Sequence, residues 1–498
     1  MSKELIKVGK DINFYTDKTF TGDIKTDTEN FKKIFENDSI LRYRKQIIAG
    51  NTECSFFNFD GMVNTQVVND SLVESLVKIK SAEDLSTEFI AENYLYSCDI
   101  KITDNLGDCI RGVLYGDTVL LIDKNKKAIV ANTKGFRSRG ISEPEDERVL
   151  QGPREGFDEV AMLNLAMLRR KLPTPDLCIE SLRMGRRTDT MIFVCYLGSL
   201  AKKDTVKELK KRLSSFETDG ILDVNYIAES IRDHKHSLFK TTGTTERPDT
   251  VAARLLEGRI AVFCDGSPVV LTLPYLFSEN FQSDEDYYLN YAVSSIGRFL
   301  RYICFFLAVC VPGIFLALMS FHLQLLPTNF ALSVARLRAG VPMPSVVECV
   351  ILILVFEILK ETGVRMPQSL GHALSIVGGL VVGQAAVEAG IISAPMLIAV
   401  ALSGIAGLMI PRLKGAVFYL RLAFVILAAL FGLAGVTAGI CAVILRIFNL
   451  SSFGEDYTSS LENPTPQRLK DSIIRAPWTF MKLRPFITKN LKRRKTNK

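Results

Sequence analysis

The alternation of apolar and polar residues divides the chain into two regions. Up to about residue 290, short apolar runs alternate with polar segments, whereas residues 299–446 are dominated by apolar runs. About 20 apolar residues are enough to cross the hydrocarbon core of a bilayer. The candidate spans are 299–321, 346–359, 371–391, 395–410 and 421–445. The second region is therefore predicted to be a helical transmembrane domain.

The charges that flank the apolar runs limit how many of them cross. Arg298 and Arg301 lie at the start of the first run and a basic tail follows the last, so the positive-inside tendency places both flanks on the cytoplasmic side. Two flanks on one side require an even number of crossings. Segment 346–359 is 14 residues long and contains two glutamates, so we expect it to be re-entrant or interfacial and the other four runs to cross. This count leaves Arg412 and Lys414 on the opposite side, which argues against it.

Periodicity in the first region predicts mixed α/β structure in two lobes. Segments 56–63 and 189–198 have the pattern of strands, and 117–133 and 259–274 that of β-hairpins, the second with Asp265-Gly266 at its turn. The predicted domains are an N-terminal extension at 1–50, α/β lobe 1 at 51–150, α/β lobe 2 at 151–290, the transmembrane helical domain at 291–446 and a basic cytoplasmic tail at 447–498.

Segment 371–391 places polar residues inside an apolar run. On a helix that advances about 100° per residue, its side chains separate into two faces. One face carries two valines, an amide and a carboxylate: Val377, Val381, Gln384 and Glu388. The other carries small residues that favour close helix packing: Gly379, Gly383, Ala386 and Gly390. A glutamate that faces lipid costs several kcal/mol, so Glu388 is expected to face protein or water.

Two interpretations of this segment remain open. In the first, copies of the helix line a pore, with Val377 and Val381 as a dewetting gate and Gln384 and Glu388 as a cation-attracting ring. In the second, Glu388 pairs with an arginine or lysine of a neighbouring helix and only positions it. Both keep the acid away from lipid, and the sequence does not decide between them.

Polar clusters precede two predicted helices of the second lobe. In 142–172, a stretch predicted to change into a long helix, the sequence GPREGFDE carries Arg154, Glu155, Asp158 and Glu159. The sequence TERPDT carries Glu246, Arg247 and Asp249 ahead of a further helix. Acids suit the N-terminal end of a helix dipole. The clusters either contact a ligand or partner, or cap helices and form a fixed arginine–carboxylate brace between the lobes.

The candidate chemistry argues against an enzyme. The sequence contains no P-loop, dinucleotide fingerprint or G-x-S-x-G motif, and its four histidines do not form a metal pattern. Its ten cysteines occur without a C-x-x-C pair, which indicates a reducing compartment. We expect no catalytic residue, no metal and no cofactor. The first residues, MSKELIKVGKD, lack the apolar core of a signal peptide, so the N-terminal region is expected to stay on the side where it is made.

The tail contributes much of the formal net charge of +7, because 447–498 holds 11 Lys or Arg against 4 Asp or Glu. Trp478, Phe480 and Phe486 are interleaved with these cations. That composition favours an amphipathic segment on an anionic inner leaflet over nucleic-acid binding, with a solvated tail as the alternative. Membrane lipid is therefore an expected partner and nucleic acid is not.

Several long motifs occur together and in order. They are GPREGFDE, NLAMLRRKLPTPDL, TERPD, LLEGRIAVFCDGSPVVLTLP, SENFQSDEDYY, FEILKETGVRMPQ, SIVGGLVVGQAAVEAG and LKDSIIRAP. From about residue 55 to 486 the chain resembles the spore germination receptor A-subunit (GerA) family. It departs from the family at Asp158, where a threonine is usual, and this change keeps a residue type that can cap a helix.

The resemblance implies a function that composition alone does not show. Family A-subunits are multi-pass proteins of the spore inner membrane, with two-lobed α/β domains facing the spore core. They work with a transporter-like B-subunit that binds the nutrient and with a lipoprotein C-subunit, and they are thought to assemble into a homo-oligomeric ring that conducts monovalent cations. Three alternatives remain: a paralogous spore membrane channel that amplifies ion release without a nutrient receptor, a secondary transporter, and a structural scaffold.

Overall fold

A computed structural model shows two α/β lobes followed by a helical bundle. The structure describes residues 12–79, 85–95, 98–135, 144, 147, 149, 151–365, 383–459, 470–481, 483, 484 and 488. Lobe 1 contains helices α1 (Ile24–Ile34), α2 (Thr65–Val67), α3 (Glu74–Val77), α4 (Thr87–Asn93) and α5 (Leu106–Leu114), and strands β1 (Leu41–Ile48), β2 (Thr52–Phe59), β3 (Ile100–Thr103), β4 (Thr118–Ile122) and β5 (Ala128–Ala131). Lobe 2 contains helices α6 (Ala161–Lys171), α7 (Lys203–Ser215), α8 (Val224–Ile231) and α9 (Pro248–Leu256), and strands β6 (Leu177–Met184), β7 (Thr190–Leu197), β8 (Gly243–Thr245), β9 (Ile260–Cys264) and β10 (Val270–Leu273).

The two lobes have the same topology. Their antiparallel sheets have the orders β1-β2-β4-β5-β3 and β6-β7-β9-β10-β8, which correspond strand by strand. The predicted α/β class is confirmed, and the predicted hairpins coincide with β4–β5 and β9–β10. Strand β1 pairs along its whole length with β2, so lobe 1 begins within the segment 1–50 that was predicted to be an extension.

A shared apolar cluster and a buried ion pair join the two lobes. A single cluster of buried side chains includes Phe57 of lobe 1 and Phe193 of lobe 2. Arg169 of α6 is fully buried; it pairs with Asp38 and stacks 4.2 Å from the ring centroid of Phe59. The arginine–carboxylate brace between lobes therefore exists, but in neither of the polar clusters that the sequence suggested.

The helical bundle comes directly after lobe 2 in the sequence. Its helices are α10 (Tyr291–Phe321), α11 (Thr328–Arg338), α12 (Ser345–Arg365), α13 (Gly383–Glu388), α14 (Ala394–Leu408) and α15 (Lys414–Phe448), followed by the short strands β11 (Ser451–Ser452) and β12 (Glu455–Asp456). The proximal end of the bundle is the end beside lobe 2, where α10 begins, and the opposite end is the distal end. Ser403 of α14 hydrogen-bonds Ala308 of α10, and α14 then ends at the proximal end, because Arg412 contacts lobe 2. Helices α10 and α14 therefore run in opposite directions.

Helix α15 is a helical hairpin. At Gly432 the backbone leaves helical geometry, with φ 59° and ψ −141°. A Cβ added at Gly439 would lie 3.0 Å from the side chain of Leu427 and 3.3 Å from that of Phe424. In a straight helix residues 427 and 439 would be about 18 Å apart, so the chain folds back at Gly432. The run 421–445, predicted to be one span, thus forms two antiparallel segments.

Helix α12 is longer than the 14-residue apolar run 346–359, which was expected to be re-entrant or interfacial. Its start lies distally, where Ser393 donates to Glu348, and its last turns lie proximally, where Glu361 pairs with Lys414 at 3.4 Å. By length and composition alone, two helical stretches in the described part of the chain could cross a membrane, Tyr291–Phe321 and Pro411–Phe448, the second of which includes the reversal at Gly432. The four-crossing arrangement does not fit these contacts, because it separates the segment after α14 from lobe 2.

Candidate functional site at the junction of lobe 2 and the bundle

The two polar clusters of lobe 2 meet in the structure. The backbone N–H of Phe157 donates to the carbonyl of Glu246 at 2.8 Å. Arg247 is fully buried and donates to the carbonyl of Pro153 and to the carboxylate of Asp249, both at 2.8 Å. The segments around PREGF and TERPD therefore form one structural unit, in which Arg247 neutralises Asp249 and satisfies backbone carbonyls.

The remaining acids of the first cluster do not join Arg247. Glu155 pairs with Arg170 at 2.6 Å and with Lys171 at 2.8 Å. Partial burial acts to raise the pKa of Glu155, but these two cations outweigh it and hold the pKa below its usual range. The side chains of Arg154 and Glu159 are exposed. These residues are neighbours in sequence, as the motif indicates, but their side chains do not form one cluster in the structure.

The long helix predicted over 142–172 is confined to α6, and its cap comes from elsewhere. Residues from Gly152 to Val160 are non-helical. Gly152 has φ 121°, and a Cβ added there would lie 2.7 Å from the ring of Tyr288. The N–H of Ala161 donates to Asp265 Oδ1 at 3.0 Å, and Asp265 lies in the β9–β10 turn. Asp158 is therefore not the N-cap of this helix, contrary to the capping role expected for it.

Glu147 connects lobe 2 to the bundle. Its Oε2 accepts hydrogen bonds from Thr245 Oγ1 at 2.6 Å and from the N–H of Glu246 at 3.1 Å. Its Oε1 lies 3.2 Å from Arg412, which follows α14 and also lies 3.5 Å from Asp284. Burial and the nearby charge of Asp284 raise the pKa of Glu147, while Arg412 opposes the shift. Two carboxylates thus compete for one arginine at this contact.

A buried charge cluster lies directly beneath this contact. Glu279 accepts a hydrogen bond from Arg259 and lies 3.2 Å from Arg254. Burial acts to raise the pKa of Glu279, but the two arginines overcome it, so the pKa lies below its usual range. Arg412 donates to the carbonyl of Glu279 at 3.0 Å. The backbone after α14 is thereby attached to the charged core of lobe 2.

A second buried cluster attaches the start of α10 to the tail. Arg298 is fully buried and pairs with Asp286 at 2.8 Å and with Asp471 of the tail at 3.0 Å. Arg301 makes two further bonds to Asp286, at 2.9 and 3.0 Å. The arginines predicted to be simple cytoplasmic flanks are therefore structural anchors, and Arg475 of the tail adds a bond to the carbonyl of Tyr287 at 3.2 Å.

The interior of the bundle contains a further polar contact. Pro312 lacks an N–H, which leaves the carbonyl of Ala308 without its helical donor. Ser403 Oγ and Arg421 Nε replace that donor, at 2.7 and 2.9 Å. Arg421 also donates to the carbonyl of Ser403 at 3.1 Å, so three helices meet at one backbone group. The buried arginine is explained by the missing hydrogen bond of the proline.

The described part of segment 371–391 carries its polar pair at the surface of the chain. Gln384 Nε2 donates to Glu388 Oε1 at 2.8 Å, and both side chains are exposed. Gly383 faces Leu397 of α14, with a Cβ–Cδ2 distance of 3.8 Å if a Cβ were present. Ala386 is half-buried, and Gly390 ends the helix with φ 66°. Val377, Gly379 and Val381 lie outside the described residues, so their roles stay predictions.

A profile of the Bacillus/Clostridium GerA spore germination proteins matches residues 29–487 of the chain. The chain belongs to the GerA family. The match begins ahead of residue 55, where the resemblance drawn from the sequence starts, and includes α1 and β1, in agreement with their place in lobe 1. The GerA resemblance drawn from the motifs is confirmed.

Three relatives illustrate the similarity. The chain is 36% identical over 479 residues to the uncharacterized membrane protein YfkQ of Bacillus subtilis (strain 168), covering 96% of this chain and 93% of that protein. It is 36% identical over 452 residues to spore germination protein KA of the same organism, covering 90% and 83%. A crystal structure of the N-terminal domain of the A subunit of the Bacillus megaterium spore germinant receptor GerK3 is 29% identical, with a TM-score of 0.42, and covers 52% of this chain and 98% of that chain.

Sequence reasoning missed the residues that join the lobes, bundle and tail of this GerA protein. Glu147, Asp286 and Asp471 were not singled out, and Arg412 was noticed only as an objection to the crossing count. Asp286 and Asp471 do lie within two of the family motifs, SDEDYY and LKDSIIRAP. Charges at the edges of apolar runs were the available signal, but nothing local indicates which acid meets which arginine.

Proposed function

We propose that this GerA protein is the A-subunit of a nutrient-responsive spore germination receptor and forms a homo-oligomeric, cation-conducting channel in the spore inner membrane. Family membership supports the receptor assignment. The exposed, hydrogen-bonded pair Gln384–Glu388 in an apolar bundle carries the channel assignment.

The charge of Glu388 restricts what can lie beside this pair. An ionised carboxylate that faces lipid costs several kcal/mol, so the exposed face of α13 needs water or another subunit. If copies of the chain are arranged around an axis, Glu388 forms a ring of carboxylates, which attracts monovalent cations and repels anions. Gly383 on the other side of α13 allows close contact with α14 and supports this orientation.

The gate in this proposal is placed by helical periodicity. Val381 and Val377 precede Gln384 by three and seven residues and so share its face on a continuous helix. A ring of valines narrows a pore and excludes water from it, which stops ions without a physical plug. Nutrient binding then needs to favour the open state by only a few kcal/mol.

The bundle supports six crossings in place of four. Helices α10, α12 and α14 and the two halves of α15 run between the two ends of the bundle. A Cβ added at Gly390 would lie 3.5 Å from the carbonyl oxygen of Gly340, at the distal end, whereas Glu361 lies at the proximal end. In this proposal segment 371–391, which lies between them in the sequence, provides the sixth crossing. Six is an even number, so the lobes and the tail share one side, which we assign to the cytoplasm or spore core. Arg412 then falls on that same side.

The proposed partners follow from the family. A transporter-like B-subunit would bind the nutrient and a lipoprotein C-subunit would complete the receptor. We propose no catalytic step for this chain.

Potassium flux from liposomes containing the purified chain tests the proposal. We expect Val381→Ala to raise the resting leak and Glu388→Gln to weaken the preference for cations. Matched controls are Val347→Ala, on the exposed side of α12, and Glu361→Gln at the proximal end, which should change neither property. Gated flux without any partner would favour the paralogous channel. Absence of flux in every variant, with oligomers confirmed, would assign the conducting path to another protein or helix.

A further inference from the structure

The first turns of α10 expose a continuous apolar stripe. Side chains recur at intervals of three and four residues on its outward side: Val293, Ile296, Leu300 and Ile303, with exposed fractions of 58, 69, 45 and 39%. Arg298 and Arg301 point away from this stripe into the buried cluster with Asp286. The outward apolar surface therefore begins six residues before residue 299, where the apolar run was predicted to start.

The tail lies beside the first turns of α10 and adds apolar side chains to this surface. The N–H of Arg475 donates to Ser295 Oγ at 3.1 Å, and the preceding Asp471 is held by Arg298. These bonds fix the following turn, in which the N–H of Phe480 donates to the carbonyl of Pro477 at 2.9 Å, against the base of α10. The turn exposes three large apolar side chains: Ile474 (57%), Trp478 (46%) and Phe480 (63%). The tail is thus folded onto the protein and still presents an apolar surface.

We propose that the α10 stripe and the tail turn 474–480 together form a basal lipid contact, which sits in the headgroup region of an anionic inner leaflet. Helix α10 has 31 residues and is about 46 Å long, which exceeds a hydrocarbon core of about 30 Å and reaches through the headgroup layer. Tryptophan and tyrosine prefer that layer, and Trp478 lies 6.2 Å from Tyr287, ring to ring.

Charge favours lipid over a second copy of the chain as the occupant of this surface. Residues 470–498 contain ten Lys or Arg and one Asp. Two such tails brought together repel each other, whereas a leaflet of anionic lipid attracts each of their basic residues. The inference rests on the proposed membrane placement of the bundle, and it adds a specific depth and a lipid preference to that placement.

Trp478 is the single tryptophan of the chain, so the tryptophan emission of the full protein, excited at wavelengths that tyrosine does not absorb, reports on this surface alone. The chain is reconstituted in anionic vesicles whose acyl chains carry bromine either near the headgroup or near the methyl end. We expect Trp478 to lose most of its emission to the shallow bromines and much less to the deep ones or to aqueous iodide. Equal quenching in zwitterionic vesicles would overturn the preference for anionic lipid.

A second reporter provides the matched control. Trp478→Phe combined with Tyr226→Trp moves the fluorophore to α8 of lobe 2, where Tyr226 is 48% exposed. That reporter should respond to iodide and not to brominated lipid. If the wild-type chain floats with the vesicles but Trp478 ignores both bromine positions, the basal lipid contact is refuted and the channel proposal stands. If the chain does not float, the membrane placement and the channel proposal fail together.

Discussion

Asp286 neutralises two arginines in a site almost free of solvent, so replacing it with asparagine should be costly. Its side chain is 2% exposed, that of Arg298 is 0% and that of Arg301 is 18%. Asp286→Asn keeps the size of the side chain and an oxygen that can accept the N–H of Ser283, so it changes mainly the charge. The variant therefore removes the negative charge, together with the acceptor that faces Arg301 Nη2.

The magnitude follows from which partners remain. Removing one member of a buried ion pair costs about 3–5 kcal/mol. Arg298 keeps its contact with Asp471 in the variant, so we expect the lower end, about 3 kcal/mol, which is roughly a 100-fold shift in the unfolding equilibrium. Asp60 pairs with Arg42 at the surface, where the two side chains are 39% and 68% exposed respectively. Asp60→Asn should therefore cost only about 0–1 kcal/mol.

Fluorescence of Trp478 during denaturant titration measures this difference, because the tail that carries it is held by Asp471 and Arg298. In Asp286→Asn the emission change should occur at clearly lower denaturant than in the wild type, while Asp60→Asn should follow the wild type. Equal midpoints for the two variants would refute the reasoning, since they would mean that burial adds nothing to the value of the carboxylate.

Three further outcomes are expected. The raised pKa of Glu147 favours its protonated form in the folded state, so its stabilising contribution is full below its ordinary pKa and is lost as pH rises through the raised pKa. Glu147→Gln should flatten this pH dependence of the unfolding midpoint, and an unchanged slope contradicts the assignment. Gly432→Ala should cost about 1–3 kcal/mol in thermal unfolding followed by circular dichroism, because φ 59° and ψ −141° suit only glycine. Gly415→Ala, at a helical position with open space around it, should cause no loss. Ser403→Ala should cost about 0.5–1.5 kcal/mol in the same assay by removing a donor from the Ala308 carbonyl, and no loss would mean that this donor is dispensable.

Local chemistry determined a large part of this structure. The turn at Asp265-Gly266, the strand pattern around it and the division near residue 290 all depend on residues adjacent in sequence, so periodicity and turn preferences predict them. The family motifs extended this prediction to function, because they occur in order along the chain. The face that carries Gln384 and Glu388 was also predictable, since helical spacing is a local property.

Tertiary structure decided the features that join distant segments. Periodicity does not distinguish Gly432, where α15 reverses, from the other glycines of that run; the reversal depends on packing between the two halves of the hairpin. One partner of Arg412, Glu147, lies 265 residues away in sequence, and one partner of Arg298, Asp471, lies 173 residues away. From an isolated charge beside an apolar run, one can infer only that the charge needs a partner. Which acid provides it is settled when the chain is folded, because only then are the two charges removed from water together.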